Sequence, residues 1–363
     1  MIACCTCLAT DALVLINLRD SVHRILDLPI VAVADNGLVK VSVTSCLVLA
    51  KTPTDPWTLY VVDVSDSEKA TCEALPGDDH VQTIQKDWIS IPTQLSIPRT
   101  HGEARGLTHA IFYSPKNPYY TGPSVSLPPL ILSFHGGPAC HSGPALDPKV
   151  QFWTSRGFAV AELNYAGSSG YGRDYRAMLD GHWGEYEADD AASCVSYLAQ
   201  KGLIDDSRVG LTGKSSGGYA VLQALTRDPD LWVAGASIAG VADLPELMRT
   251  MHKFEKPYVA RLISGEARCS DTGLESIGQK RSPFARAAAA VNFPLLLIHG
   301  TNDKVVNKRQ SEKMTDAVVS AGGCVRLMLF DEGHSFRMPE NIVAAKQEEE
   351  NWWVKHLVTN KIQ

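Results

Sequence analysis

Ser215, Asp303 and His334 stand in this chain in the order and the settings that acyl transfer by a serine nucleophile would need. The serine lies in Leu211-Thr-Gly-Lys-Ser-Ser-Gly-Gly-Tyr219, which reads Gly213-x-Ser215-x-Gly217-Gly218. Arg208 to Thr212 before it is β-rich, and Tyr219 to Thr226 after it favours helix. A serine at the apex of a strand-to-helix turn has its hydroxyl exposed and a helix N-terminus behind it. Gly213 and Gly217 relieve the crowding of such a turn, and Gly218 lets the helix approach the sheet. The pattern by itself is weak, because glycines flank serines by chance in many loops.

The rest of the machinery strengthens it. A nucleophile needs a base to take its proton, an acid to orient the base, and donors for the oxyanion. In the α/β-hydrolase fold these follow the chain order serine, acid, histidine. Asp303 sits in His299-Gly-Thr-Asn-Asp-Lys-Val-Val306, just past an apolar strand, and His334 sits in Asp331-Glu-Gly-His-Ser-Phe336, just past the last one. Both therefore fall at strand carboxyl ends, where open α/β sheets carry their sites. Asp303 lies too early to cap the helix expected from Lys308. Asp243 is the rival acid, and Asp303 is preferred for its surroundings. A bland reading makes His334 a surface-loop residue; its place after the final strand beside Gly333 argues for the base. His135 and His299 read as structural hydrogen-bonding residues.

The oxyanion hole is expected to use the backbone N–H of Ser216 and a second N–H from His135-Gly-Gly-Pro138, with Gly137 ahead of Gly136. Ala166-Gly-Ser-Ser-Gly-Tyr-Gly172 has the wrong glycine spacing for a nucleotide loop. No cofactor and no metal are expected. The other histidines lack ligand spacing, HExxH is absent, and Cys4, Cys5 and Cys7 have no matching second half. That cysteine cluster reads as a disordered or partly buried terminus.

The elements that must position these residues follow from the pattern. The 363 residues are 45% hydrophobic and 20% charged, as in an ordinary globular protein. A net charge of -6 without a Lys/Arg-rich run gives no footprint for nucleic acid. No apolar run approaches the roughly 18 residues of a membrane span, and no signal peptide is recognisable. Nine cysteines, an odd and scattered set, point to a reducing compartment, so a cytoplasmic location is expected. Residues 1–86 read as a short β-rich segment: Ile30 to Ala34, a turn at Asp35-Asn-Gly37, Val39 to Leu49, and Trp57 to Asp63. Ser65 to His80 is polar, with Pro76-Gly77-Asp78-Asp79 as a loop. Residues 87–363 alternate strands with helices, beginning with Trp88 to Ile97 and Leu107 to Ser114. This alternation predicts a doubly wound, mostly parallel sheet, the α/β class.

With these residues in view, the chain resembles the catalytic domain of the prolyl oligopeptidase family, nearest its acylaminoacyl-peptidase and dipeptidyl-peptidase branch. The resemblance rests on Phe112-Tyr-Ser-Pro-Lys-Asn117, His135-Gly-Gly-Pro138, Gln151-Phe-Trp-Thr-Ser-Arg-Gly157 and Asn164-Tyr-Ala-Gly-Ser-Ser-Gly-Tyr-Gly-Arg173. It continues through Gly213-x-Ser215-x-Gly217-Gly218, His252-Lys-Phe-Glu255, Asp303-Lys-Val-Val306 and Gly333-His-Ser-Phe336. It implies Ser215 as nucleophile, Asp303 as acid, His334 as base, and no metal or cofactor. Family members carry a long N-terminal β-propeller over the site. Residues 1–86 would supply only a blade or two, so a wider entrance is expected. Its strand flanks would be covered by that segment or by a second subunit in a homo-oligomer.

An open site holds substrate less firmly and excludes less water, which favours activated acyl groups over peptide bonds. The leading expectation is therefore a serine hydrolase of small acylated metabolites (esters, amides or thioesters) or short peptides, in secondary-metabolite biosynthesis. The alternative is a serine oligopeptidase or acylaminoacyl peptidase. A silent binding protein on a hydrolase scaffold is disfavoured by the intact triad.

Overall fold

The computed structural model describes residues 1–66, 69–77, 84–123, 125–266 and 270–359. Period-two patterning near the N-terminus yields two small antiparallel sheets. The first contains β1 (Ile2–Cys7), β2 (Thr10–Ile16) and β3 (His23–Ile25). The second is a meander of β4 (Ala32–Lys40), β5 (Ser45–Lys51), β6 (Thr58–Asp63) and β7 (Thr71–Ala74). Alternate residues of both, Leu13, Val48, Ala50, Tyr60 and Val62 among them, close over one small core with Leu26 and Ile30.

Three local expectations change here. Asp35-Asn-Gly37 is not the hairpin turn: β4 runs through it, with a ladder shift between Val33 and Leu38. Asn36 takes a φ of 56°, and the extra residues buckle out as a bulge. The chain reverses instead at Ser42, whose Oγ accepts from Thr44 N and Ser45 N. Asn-Gly supplies a left-handed φ that turn and bulge both use, so the dipeptide alone does not separate them. The cysteine cluster lies on an ordered strand, with Cys4, Cys5 and Cys7 exposed. The expected loop Pro76-Gly77-Asp78-Asp79 lies partly outside the described residues. The expected domain boundary at 86/87 falls between β7 and the next strand.

That next sheet has eight strands and carries the site. In sequence they are β8 (Thr93–Pro98), β9 (Leu107–Tyr113), β10 (Leu130–Phe134), β11 (Ala159–Asn164), β12 (Val209–Lys214), β13 (Ala234–Ile238), β14 (Leu295–Gly300) and β15 (Val325–Phe330). In space they run β15-β14-β13-β12-β10-β11-β9-β8. From β15 to β11 every pair is parallel; β9 and β8 close the edge antiparallel. The strand expected from Trp88 begins only at Thr93. Pro92 cannot donate to a ladder, and Ser90 N donates instead to Gln151 Oε1 at 2.7 Å.

Helices cover both faces, and residue alternation sorts the two cores. On one face lie α1 (Pro148–Thr154) and α9 (Pro339–Trp353), with Val150, Trp153, Trp352 and Trp353 packed on Ile131, Val160, Ala236 and Ile298. On the other, Leu132, Leu163, Leu211 and Leu297 meet α3 (Tyr186–Gln200), α4 (Ser216–Arg227) and α8 (Arg309–Ser320). Three further helices, α5 (Leu244–Thr250), α6 (Lys256–Ser264) and α7 (Asp271–Arg281), follow β13, and the short α2 (Arg173–Ala177) follows β11. No helix among the described residues is long and apolar enough to cross a membrane.

Candidate active site

β12 ends at Lys214, and the next residue reverses the chain into α4. Ser215 takes φ 59° and ψ -121°, a conformation L-residues rarely hold. Its N–H donates to Ile238 O at 2.9 Å, and its carbonyl accepts from Tyr219 N at 3.0 Å, so the strain is held from both sides. Ser216 heads α4, where first-turn N–H groups have no acceptor within the helix. Gly217 approaches β10 so closely that a Cβ there would strike the carbonyl oxygens of Phe134 and His135. The expected elbow is present, with its glycines in the expected roles.

The loop after β10 carries His135, Gly136 and Gly137. A Cβ on Gly136 would stand 3.7 Å from Ser215 Cβ, which puts this loop against the serine. Gly137 holds φ 123°, a value that excludes larger residues there. Two residues not foreseen from the sequence brace this region, one at the loop and one at the head of α4. The Tyr165 hydroxyl lies 3.1 Å from His135 O and 3.0 Å from Pro138 O, spanning both glycines. Trp183 Nε1 donates to Ser216 Oγ at 3.1 Å. Tyr165 belongs to the Asn164-Tyr stretch quoted above, so that motif held a signal; Trp183 had none. His135 stacks on Tyr165, and its ring nitrogens meet Gly136 O and Ser168 Oγ. Burial, with some repulsion from His141, pushes its pKa down to about 4, so it stays neutral as a structural group should.

Asp303 and His334 come together after β14 and β15. His334 Nδ1 is 2.7 Å from Asp303 Oδ2, and the carboxylate is fully enclosed while the ring keeps some exposure. Asp303 Oδ1 accepts from Val305 N and Val306 N at 2.8 and 2.9 Å. Burial raises this carboxyl's pKa, but hydrogen bonds from His299, His334, Val306 and Val305 outweigh it and hold the group well below the usual carboxylate range. His299, wholly buried, sits 3.4 Å from Asp303 Oδ2 and fixes the loop through Ser311 Oγ and Val306 O. The rival Asp243 is occupied elsewhere. It caps α5 by accepting from Glu246 N and pairs with Lys313 at 3.0 Å.

Lys214 Nζ donates to Ser335 Oγ at 3.2 Å, so the neighbours of Ser215 and His334 touch. Among the described residues no hydrogen bond joins Ser215 Oγ to His334; such contacts commonly tighten only with substrate bound. No group of three or more His, Cys, Asp or Glu among the described residues is placed to hold a metal ion. What the arrangement can do is deprotonate a strained serine and stabilise an oxyanion between two backbone loops.

The sequence profile of the prolyl oligopeptidase family matches residues 144–360. Dipeptidyl aminopeptidase BIII of Pseudoxanthomonas mexicana is 33% identical over 216 residues, covering 59% of this chain and 31% of that protein. Acylamino-acid-releasing enzyme 2 of Oryza sativa subsp. japonica is 28% identical over 234 residues, 63% of this chain and 30% of the relative. Among solved structures, a puromycin-hydrolyzing peptidase of Mycobacterium tuberculosis superposes with a TM-score of 0.85 at 28% identity, over 96% of this chain and 50% of that one. The chain thus spans about a third of these curated relatives.

Proposed function

The chain belongs to the prolyl oligopeptidase family, and from that premise we propose that it is a serine peptidase cleaving short peptides or acyl and aminoacyl amides. This reverses the order expected from the sequence. The relatives named above are a dipeptidyl aminopeptidase, an acylamino-acid-releasing enzyme and a puromycin-hydrolyzing peptidase, and none of these names speaks for esters or secondary metabolism. The observation that carries the mechanism is the 2.7 Å contact between His334 and Asp303 beside a strained Ser215.

In this mechanism Ser215 Oγ attacks the scissile carbonyl while His334 Nε2 takes its proton. Asp303 fixes the tautomer through Nδ1 and stabilises the imidazolium. The oxyanion is held by the N–H groups of Ser216 and Gly137, and His334 then protonates the departing amine. Water repeats the sequence on the acyl-enzyme. A second reading, amide cleavage in a small aminoacylated molecule, is favoured by the likeness to the puromycin-hydrolyzing peptidase.

The test compares kcat/KM for aminoacyl anilides, acyl-alanine anilides and aryl esters on one preparation. Amide turnover that disappears in Ser215→Ala supports the proposal. Ester turnover without any amide turnover restores the metabolite reading.

A further inference from the structure

A groove of about 500 Å³ runs down the face of the eight-stranded sheet beneath α1 and α9. Ile131, Trp153 and Val160 give it an apolar floor, and Gly136 and Ser335 stand at its upper end, one residue from the oxyanion loop's Gly137 and from His334. Side chains alternate along β12, so Lys214 enters this groove although Ser215, its neighbour, is the nucleophile.

Resting on the peptidase reading, we infer that Lys214 binds the carboxylate of the leaving group, so that the enzyme selects amides whose amine half is a free amino acid or a short peptide with its C-terminus in the groove. Three observations carry this. The first is position. His334 must protonate the amine as it departs, so the amine half lies on the His334 side. Lys214 reaches that side, with Nζ donating to Ser335 Oγ at 3.2 Å.

The second is charge. Lys214 has no carboxylate within ion-pairing distance among the described residues, and its one recorded side-chain partner is a hydroxyl. Burial and then the nearby Lys149 depress its pKa, with Asp303 opposing them, which marks an ammonium short of compensating charge. A substrate carboxylate would supply it through a charge-assisted hydrogen bond. The acids of the groove do not compete. Asp147 caps α1 by accepting from Lys149 N, and Glu349 is taken by Lys346 at 2.6 Å and Thr212 at 2.9 Å. Glu162 loses its water in the groove wall and faces Asp147; its pKa is pushed up to about 8, so near neutrality it is mostly protonated.

The third is space. A volume near 500 Å³ falls in the range that holds a small ligand, and Ile131 and Trp153 line it. An internal segment of a long peptide has no anion to offer Lys214. A C-terminus does.

The experiment pairs N-acetyl-alanyl-glycine with its C-terminal amide, on wild type, Lys214→Met and Lys214→Arg. A hydrogen bond between charged groups predicts a carboxylate-over-amide preference of about ten- to a hundredfold in kcat/KM for wild type, expressed mainly in KM. The ratio should collapse toward one in Lys214→Met and recover in part in Lys214→Arg. A wild-type ratio of one, or a ratio that survives Lys214→Met, overturns the inference. Binding of glycylglycine and glycylglycine amide, measured by calorimetry on the same proteins, needs no turnover and separates the two claims. Without amide hydrolysis but with Lys214-dependent preference for the free dipeptide, the groove stands and the peptidase reading fails. Equal binding of both dipeptides overturns the groove whatever the activity.

Discussion

Asp303 is held by two backbone donors on one oxygen and by His334, with His299 close by, on the other, which fixes the carboxylate in place. Exchanging it for the isosteric amide keeps the shape and destroys the pattern. In Asp303→Asn the side chain can offer His334 an N–H where it now offers an acceptor, which selects the wrong tautomer. Turnover should fall about 10⁴-fold, the size of the same loss in a well-studied serine protease triad, with folding intact by circular dichroism. Asp243→Asn should cost little activity, because that carboxylate caps α5 and pairs with Lys313. Ser215→Ala should abolish labelling by a fluorophosphonate probe, whereas Ser216→Ala should label, since its hydroxyl accepts from Trp183 and only its backbone N–H is proposed to meet the oxyanion. Labelled Ser215→Ala protein would refute the assignment. Ser215, Asp303 and His334 could be nominated from the sequence, because each sits in a short motif whose glycines and apolar strand are local. Lys214 was read only as the variable position of that motif. Its importance comes from the groove, which forms between elements more than a hundred residues apart and leaves no local trace.

At the scale of elements, the site depends on how closely α4 approaches β10. Gly217 stands against the backbone carbonyls of Phe134 and His135, and backbone cannot turn aside as a side chain can. Gly217→Ala should therefore push the oxyanion loop and the elbow apart, lowering kcat far more than KM while the protein stays folded. Tyr165→Phe tests the same joint from the other side. It removes the hydroxyl that spans His135 O and Pro138 O, and a loss of roughly tenfold in kcat fits one hydrogen bond of about 1 kcal/mol or slightly more. On the opposite face Trp353 is fully buried beside Gly210, near the start of β12 and away from the strand end that carries Ser215. Trp353→Ala should cost about 3–5 kcal/mol in denaturant unfolding, a cavity effect without a catalytic one. The alternation of strands and helices from β9 onward was readable because buried parallel strands are short apolar runs, whereas α1, α2, α5, α6 and α7 were not read. The N-terminal part was read less well. Its strands are half exposed, and Asn-Gly serves a bulge and a turn equally.

For the whole molecule, the most exposed liability is a buried acid. Glu187 is fully enclosed, and loss of water pushes its pKa up to about 8 despite the hydrogen bond from Gly184 N. A raised folded-state pKa means a contribution that is complete below the unfolded value of about 4.3 and is lost as pH climbs through the folded one. Thermal stability should therefore decline between those limits, and Glu187→Gln should flatten that decline; an unchanged slope would assign it to other groups. The two N-terminal sheets also matter at this scale, through how they are fastened. Leu146 N donates to Thr52 O at 3.0 Å, Lys51 Nζ donates to Leu146 O at 3.0 Å, and Ala9 N donates to Gly170 O at 3.4 Å. Leu146 lies in the loop that begins at Gly136 and Gly137, so these hydrogen bonds tie those sheets to the loop beside Ser215 as one mechanical linkage. A linkage of this kind has a clock. If substrate must displace the sheets to enter, they drag through solvent on the microsecond-to-millisecond scale, and added viscogen would slow turnover in proportion. With the sheets stationary, sucrose would leave kcat untouched, and the rate would belong to the chemistry alone.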